Sequence, residues 1–343
     1  MTLGLVLGGG GLIGMGYHAG ALAALDDFGI DVTKADLMVG TSAGSIMTSY
    51  LRNGWAQTDF FEYAHGRHTD VTKDNPDSGE QVREIFTPLY GSRGEQIRRG
   101  VGGFFALVAS RGYWQRSPGK GRMPAGLARK AFPSGMYSTE QTRQRFEEDL
   151  PHEWPERDLY ICAVDLYSGE RVPFGHPDAP KATQPEAVLA STSIPGVFPP
   201  VRIGDRQYVD GGAASATSLD LATKHGCDSI ICIAPLGYRS DAPFHLRDTA
   251  MLGPMVIRSL FARALRREVN DARAKGIDVF VIRPWLTDLK EHGTNSMRDF
   301  DRKALTVNAR TGTLRLLEEH ADHPALQAWM KPTERKRRGG ISA

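Results

Sequence analysis

A strand, a tight turn and the start of a helix are predicted in the stretch Asp36-Leu37-Met38-Val39-Gly40-Thr41-Ser42-Ala43-Gly44. The apolar residues before the turn favour a buried strand, and residues 44–52 have the pattern of a helix. A G-x-S-x-G turn in this position holds its serine at a sharp bend, with the hydroxyl beside the positive end of the helix. We therefore predict that Ser42 is a nucleophile; the alternative is a structural serine that caps the helix. The turn around it consists of Gly40, Thr41, Ala43 and Gly44, where glycine avoids a collision between a β-carbon and the neighbouring strand or helix.

The alternation of strands and helices extends in both directions from this turn. Upstream, residues 3–7 predict a first strand, Gly8 to Gly11 a tight loop, and residues 16–28 a helix. Consecutive strand–helix units build a parallel sheet, so we predict a three-layer α/β/α fold with a mainly parallel central sheet. The downstream elements that fit this fold are strands at 158–166, 229–234 and 277–282, a helix over 258–275, and a hairpin at 201–209 around Gly204-Asp205.

The strand–helix rhythm is interrupted once and ends before the C-terminus. Residues 55–156 are rich in Gly, Arg and Ser with interspersed aromatic residues, and they predict an inserted helical, lid-like region within a domain of residues 1–285. Residues 286–343 predict a C-terminal helical extension and a basic tail. Two interpretations of the insertion stay open: a basic, aromatic surface that docks on anionic membrane, or a variable segment whose charges keep it solvated.

Composition restricts the classes of function. Of the 343 residues 41% are hydrophobic and 24% charged, and the formal net charge of +2 does not favour a nucleic-acid partner. Three cysteines are too few and too scattered for a disulfide framework or a four-ligand zinc site, so we expect no metal. No apolar run approaches the ~20 residues of a membrane span, and no secretory signal is recognisable. We expect a cytoplasmic protein that at most lies against a membrane; its oligomeric state is left open.

A serine nucleophile needs a base, and histidine is the usual one. None of the ten histidines follows a predicted core strand, and we interpret them as solvated side chains. Asp210 differs because it ends the apolar run Tyr208-Val209 and is followed by Gly211-Gly212, which turn the chain where the carboxylate is presented. From the residues alone, a structural turn aspartate remains the simpler interpretation.

Several segments together resemble the patatin-like phospholipase family, over about residues 1–54 and 157–235. The resemblance implies a patatin-like α/β fold and a lipid acyl hydrolase in which Ser42 is the nucleophile and Asp210 its base, without histidine, cofactor or metal. Its substrate would be a phospholipid, a lysophospholipid or a simpler acyl ester. The segments are Gly8 to Gly11, Gly40 to Gly44, Asp165-Leu166 with Ser168-Gly169-Glu170, the run from Ala190 to Pro200, and Asp210-Gly211-Gly212.

A Ser–Asp pair makes a physical demand on the aspartate. A free aspartate with a pKa near 4 is a weak base. We therefore predict that burial raises the pKa of Asp210.

The glycine-rich loop allows two interpretations. Gly9-Gly10-Gly11-Leu12-Ile13-Gly14 fits the dinucleotide fingerprint G-x-G-x-x-G, with Asp31 or Asp36 as a ribose partner in a nicotinamide-dependent oxidoreductase. The same backbone N–H groups could instead hold an oxyanion, which we favour because the next strand ends in G-x-S-x-G. Many patatin-like proteins carry a basic residue after these glycines, where this chain has Leu12-Ile13, so a charged contact to a head group is in doubt. A catalytically inactive lipid-binding protein is the third hypothesis. The predicted oxyanion donors are the amides of Gly9, Gly10 and Gly11.

Overall fold

A computed structural model describes residues 1–69, 135–239, 252–286, 289 and 301–330. In this part of the chain one eight-stranded sheet has the order β5-β6-β3-β2-β1-β7-β8, and β4 pairs with β3 off this path. The strands are β1 (Leu3–Leu7), β2 (Leu37–Thr41), β3 (Asp158–Asp165), β4 (Arg171–Phe174), β5 (Val201–Ile203), β6 (Arg206–Asp210), β7 (Ser229–Ile233) and β8 (Asp278–Ile282).

The centre of the sheet is parallel and one flank is antiparallel. β1, β2, β3, β7 and β8 run in one direction. The hairpin β5–β6 and the short β4 pair antiparallel. Because the carboxyl ends of the parallel strands meet at one edge, the loops after β1, β2, β7 and β8 lie together there. The predicted mainly parallel sheet and the hairpin at 201–209 are confirmed.

Helices cover both faces of the sheet. Along β1 the side chains alternate between two apolar cores: Leu5 and Leu7 belong to the larger one and Val6 to the smaller one. This alternation confirms the three-layer α/β/α arrangement. The helices are α1 (Gly11–Asp27), α2 (Ala43–Arg52), α3 (Asp59–Ala64), α4 (Glu140–Asp149), α5 (Gln184–Thr192), α6 (Leu219–His225), α7 (Leu252–Ala274), α8 (Arg302–Glu319) and α9 (Pro324–Met330).

Several helices differ from the sequence prediction; α7, for example, begins at Leu252 rather than at residue 258. α1 begins at Gly11 rather than at residue 16, because the last glycine of the loop already belongs to its first turn. α5 was not predicted, although its start carries a capping box in which Thr183 and Glu186 each bond the other's backbone N–H. Its first residues, Gln184 and Pro185, interrupt the apolar pattern.

The C-terminal helix α8 packs against α1. Gly20 lies so close to α8 that a β-carbon there would stand 2.3 Å from the Thr306 carbonyl oxygen. Arg310 of α8 forms an ion pair with Asp27 at the end of α1. Residues 70–134 of the predicted insertion and the basic tail from residue 331 lie outside the described residues. The division at residues 285 and 286 stays a prediction. Of the helices that are described, none combines the length and hydropathy needed to cross a bilayer.

Candidate active site

Ser42 occupies a strained turn between β2 and α2. Its backbone angles are φ 54 and ψ −123, which an L-residue rarely adopts. A β-carbon on Gly44 would lie 1.9 Å from the Leu7 carbonyl oxygen, and one on Gly40 would lie 2.2 Å from the Thr48 hydroxyl oxygen. The two glycines therefore let the strand, the turn and the helix pack closely around the serine. This is the reason given for them in the sequence prediction.

Strand register brings Asp210 to the same place. β3 lies between β2 and β6: Thr41 is the partner of Cys162, and Asp210 is the partner of Ala163. The residue after Thr41 and the last residue of β6 therefore flank the same position of β3. The Ser42 side chain lies near enough to the Asp210 carboxylate to lower the pKa of that group. The two residues predicted as a pair thus lie side by side across β3, although their strands run in opposite directions.

Asp210 is held by its own turn and by burial. The Gly212 N–H donates to its Oδ1 at 2.7 Å, and Gly211 packs so closely on β3 that a β-carbon would stand 2.3 Å from the Cys162 carbonyl oxygen. Asp210 is 5% exposed, and Ser42 is 6% exposed. Burial raises the pKa of Asp210 to about 6, and the hydrogen bonds from Ser42 and Gly212 offset part of that rise. The direction agrees with the sequence prediction.

The glycine loop lies against the serine, but its first amide is occupied. A β-carbon on Gly9 would stand 3.2 Å from the Ser42 β-carbon. The Gly9 N–H donates to the Ala216 carbonyl at 2.7 Å, so the prediction that Gly9 is an oxyanion donor does not hold in this structure. Among the described residues no acceptor takes the N–H of Gly10 or Gly11, and Gly11 lines the same cavity as Ser42. The loop therefore offers two of the three predicted amides.

His18 corrects the interpretation of the histidines. It is completely buried in α1, and its Nε2 lies 2.7 Å from the Gly8 carbonyl oxygen, to which it can donate. Burial lowers the pKa of His18 to about 4, so the ring is neutral near pH 7. It fixes the start of the glycine loop. This contact depends on how α1 packs beside the end of β1, which the sequence pattern does not specify.

Two further groups hold the turns in place, and the sequence analysis missed both. The Ser191 hydroxyl accepts from the Ser42 N–H at 3.0 Å and donates to the Cys162 carbonyl at 2.7 Å, so it ties α5 to the serine turn and to β3. Glu268 of α7 accepts hydrogen bonds from Ser215, Thr217 and the Leu219 N–H. This carboxylate fixes the loop whose Ala216 carbonyl receives the Gly9 amide. Nothing local in the sequence signals either contact.

Ser42 opens onto an apolar cavity of about 370 Å³. Its wall is formed by side chains of α1, α2, α3, α4 and α5 together with the loop that follows α5. The part farthest along α2 carries polar groups, since the Tyr50 hydroxyl donates to Asp149, and Arg145 donates to the Tyr63 hydroxyl. The apolar lining includes Leu12, Met15, Ile46, Met47, Trp55, Phe60, Phe146, Leu189, Ile194 and Phe198.

The dinucleotide interpretation of the loop is not supported by the geometry. Asp31 and Asp36 precede β2, whereas the glycines follow the parallel strand β1, so they lie at opposite edges of the sheet. Both carboxylates have local partners: Asp31 caps a short helical turn at Thr33, and Asp36 accepts from the Leu3 N–H. Neither is placed to hold a ribose next to the glycines.

The cysteines are buried, and they do not form a metal site. Cys162, Cys227 and Cys232 are free thiols, and burial raises the pKa of each. Within the described ranges no group of His, Cys, Asp and Glu has the arrangement of metal ligands.

Fold and site together define the class: an α/β protein that presents a serine on a strained strand–turn–helix junction, close to a buried aspartate. The profile of the family described as Patatin-like phospholipase matches residues 5–223, more than half of the chain. The chain belongs to the patatin-like phospholipase family.

Two solved structures are similar over most of the chain. VipD from Legionella pneumophila is 16% identical with a TM-score of 0.41, and the match covers 93% of this chain and 67% of VipD. ExoU in the heterodimeric ExoU–SpcU complex of the type III secretion system of Pseudomonas aeruginosa is 18% identical with a TM-score of 0.36. That match covers 93% of this chain and 51% of ExoU, so the chain spans about half the length of ExoU.

Proposed function

We propose that the protein is a lipid acyl hydrolase that cleaves fatty acyl esters through an acyl-serine intermediate. The observation that carries the proposal is the placement of Ser42 across β3 from a buried carboxylate whose pKa, about 6, suits a base near neutral pH. Membership of the patatin-like phospholipase family supports it. The catalytic unit would be the predicted domain of residues 1–285, in the cytoplasm or at a membrane surface.

The proposed reaction has two halves. In the first, Ser42 Oγ attacks the ester carbonyl carbon while its proton passes to Asp210, and the Asp210 proton then passes to the leaving alcohol. In the second, Asp210 accepts a proton from water, the water oxygen attacks the acyl-serine carbonyl, and the fatty acid leaves as Ser42 regains its proton. The negative oxygen of both tetrahedral intermediates would be stabilised by the Gly10 and Gly11 N–H groups at the positive end of α1. This scheme uses no cofactor.

The cavity supports an acyl rather than a small polar substrate. Its walls are mainly aliphatic and aromatic, and Ser42 lies at its surface, so a fatty acyl chain can be buried while its carbonyl reaches the hydroxyl. A phospholipid, a lysophospholipid or a simpler acyl ester all present this group.

The test is a chain-length series of chromogenic acyl esters with four variants. Ser42→Ala and Asp210→Asn should each lower kcat by about 10³-fold or more. Ser168→Ala and Asp205→Asn are matched controls, because Ser168 lies outside the cavity and Asp205 is exposed in the β5–β6 turn. Both controls should keep wild-type kcat. Full turnover in Ser42→Ala or Asp210→Asn would end the proposal, and absence of turnover in the wild type would favour the inactive lipid-binding alternative.

A further inference from the structure

Three arginines gather at the carboxyl ends of β7 and β8. Arg283 directly follows β8, and Arg239 lies on the loop after β7. Arg266 lies on α7, which connects the two strands, near enough for its charge to lower the pKa of Arg283. The loops are joined by backbone hydrogen bonds, from the Arg239 N–H to the Pro284 carbonyl at 2.7 Å and from the Leu286 N–H to the Arg239 carbonyl at 2.9 Å. Arg239, Arg266 and Arg283 are called the arginine cluster below.

Among the described residues, no carboxylate neutralises the positive charge of the arginine cluster. In the described ranges none of its three guanidinium groups forms an ion pair with a carboxylate. The Nε of Arg283 is buried and has no hydrogen-bond partner. Burial, and then the charges of Arg239 and Arg266, lower the pKa of Arg283. Positive charges that lie on two joined loops and a neighbouring helix favour the binding of an anion.

An aromatic ring lies beside the cluster. The Arg239 guanidinium is 4.5 Å from the centroid of the Trp285 ring, and that of Arg315 is 5.6 Å from it. The positive charge of Arg315 is compensated by Glu319, with which it forms an ion pair. Tryptophan next to cationic side chains is a combination that suits the polar–apolar boundary of a lipid surface.

The cluster and the candidate active site share one edge of the sheet. β1, β2, β7 and β8 are parallel, so Ser42 after β2, the glycine loop after β1 and the cluster after β7 and β8 all lie at the carboxyl ends. A surface that bound the cluster would therefore lie at the edge on which the cavity is built.

We propose that the arginine cluster binds the phosphate group of an anionic lipid head group and so seats this edge of the sheet on a lipid surface. The inference rests on the proposed function, because it assigns that surface as the source of substrate. Lipid rather than a free phosphate is indicated by Trp285 beside the cluster and by the shared edge with an apolar cavity. The surface charge of such a membrane adds to the contact.

The test compares two charge-matched double variants in vesicle flotation. Arg239→Gln with Arg266→Gln removes two charges from the cluster. Lys181→Gln with Arg202→Gln removes two exposed charges; Arg202 lies on β5 at the far flank of the sheet. Phosphatidylcholine vesicles with phosphatidic acid should bind wild type and the control pair equally well. Their affinity for the cluster pair should be lower by roughly tenfold or more. Vesicles of phosphatidylcholine alone give the baseline.

Other results would overturn the inference. Equal loss in both pairs would mean that net charge alone drives binding, and wild-type binding by the cluster pair would mean that the cluster is not the site. If inorganic phosphate raises the Tm of wild type but the vesicles do not bind, the ligand is a free phosphate and the lipid assignment falls.

The inference and the proposed function fail separately. The cluster pair should hydrolyse a short soluble ester at the wild-type rate and lose activity on the phosphatidic acid vesicles. Ser42→Ala should show the reverse, with normal vesicle binding and no turnover. Normal turnover by Ser42→Ala would remove the proposed function and leave the binding result standing.

Discussion

The turns that carry Ser42 and Asp210 achieve their positions by different means. The serine turn joins a parallel strand to a helix and holds its residue at φ 54, with no side-chain cap on the helix. The aspartate turn ends an antiparallel strand at the ordinary angles φ −46 and ψ 129, and its carboxylate accepts the Gly212 N–H. One turn is strained in its backbone, and the other buries a charge.

The two turns therefore destabilise the folded state in two different ways. At Ser42 the cost lies in the backbone conformation and is sustained by close packing of glycines on β1 and α2. At Asp210 it lies in desolvation of the carboxylate and so depends on pH. Mutations at the two turns should therefore differ in size, sign and pH dependence.

The largest effect is expected at the packing of the serine turn. Gly44→Ala places a β-carbon 1.9 Å from the Leu7 carbonyl oxygen of β1. This clash can be relieved only if β1 or α2 moves, because the atom that is hit belongs to the backbone. We expect a loss of about 4 kcal/mol or more in the free energy of unfolding, or failure to fold. Urea denaturation followed by circular dichroism measures it.

Gly14→Ala is the matched control for that substitution. A β-carbon on Gly14 meets its nearest atom at 3.6 Å, an ordinary contact, and the residue lies within α1. Its stability should change by less than about 1 kcal/mol. Equal losses in the two variants would show that close packing is not what sustains the serine turn.

The second effect concerns the buried carboxylate and has a defined sign. The pKa of Asp210 is raised from 3.8 to about 6, so the folded state favours the protonated form. Stability from this group is present below about pH 4 and is lost as the pH rises through 6, by about 3 kcal/mol at about 1.4 kcal/mol per pH unit. Asp210→Asn should therefore be more stable than wild type at pH 7, and this advantage should disappear near pH 4.

Asp205→Asn serves as the control for that pH dependence, because Asp205 is exposed. Its stability relative to wild type should not change between pH 4 and pH 7. If Asp210→Asn were less stable than wild type at pH 7, the interactions of the ionised carboxylate in the folded state would outweigh the free-energy cost of burying it.

The smallest effect is the backbone strain at Ser42. Glycine accepts φ 54 without a β-carbon, whereas alanine does not, so Ser42→Gly should be more stable than Ser42→Ala by about 1 kcal/mol. Both variants lack the hydroxyl, so the comparison isolates the backbone. Thermal unfolding of the pair at one pH measures it, and a less stable glycine variant would show that the turn is not strained.

The local parts of this site could be predicted from the sequence. Ser42 and its glycines occupy one short motif, and the apolar strands around them fix the layer order. The raised pKa of Asp210 follows from placing a carboxylate at the end of a buried strand. The nearness of Asp210 to Ser42, which depends on the register of β3, was implied only by the resemblance to the patatin-like family.

The contacts that refine the site are long-range and could not be predicted. The Gly9 N–H donates to the carbonyl of Ala216, which is more than 200 residues away in the chain. Glu268 accepts hydrogen bonds from the loop after Asp210, and it lies on α7, whose sequence pattern predicts only a helix packed on the sheet. For α5 the sequence does contain a local signal, the capping box at Thr183. The helix was not predicted because the polar Gln184 and Pro185 interrupt the apolar pattern at its start.

The proposed mechanism requires Asp210 to remove the proton of Ser42, and the rate of covalent labelling by a fluorophosphonate measures this step without any lipid. Followed against pH, the rate in wild type should rise through a midpoint near pH 6, where Asp210 becomes ionised. Ser42→Ala should not label, and Asp210→Asn should label about 10³-fold more slowly with no such midpoint. Labelling of Asp210→Asn at the wild-type rate and with the wild-type pH profile would contradict the account.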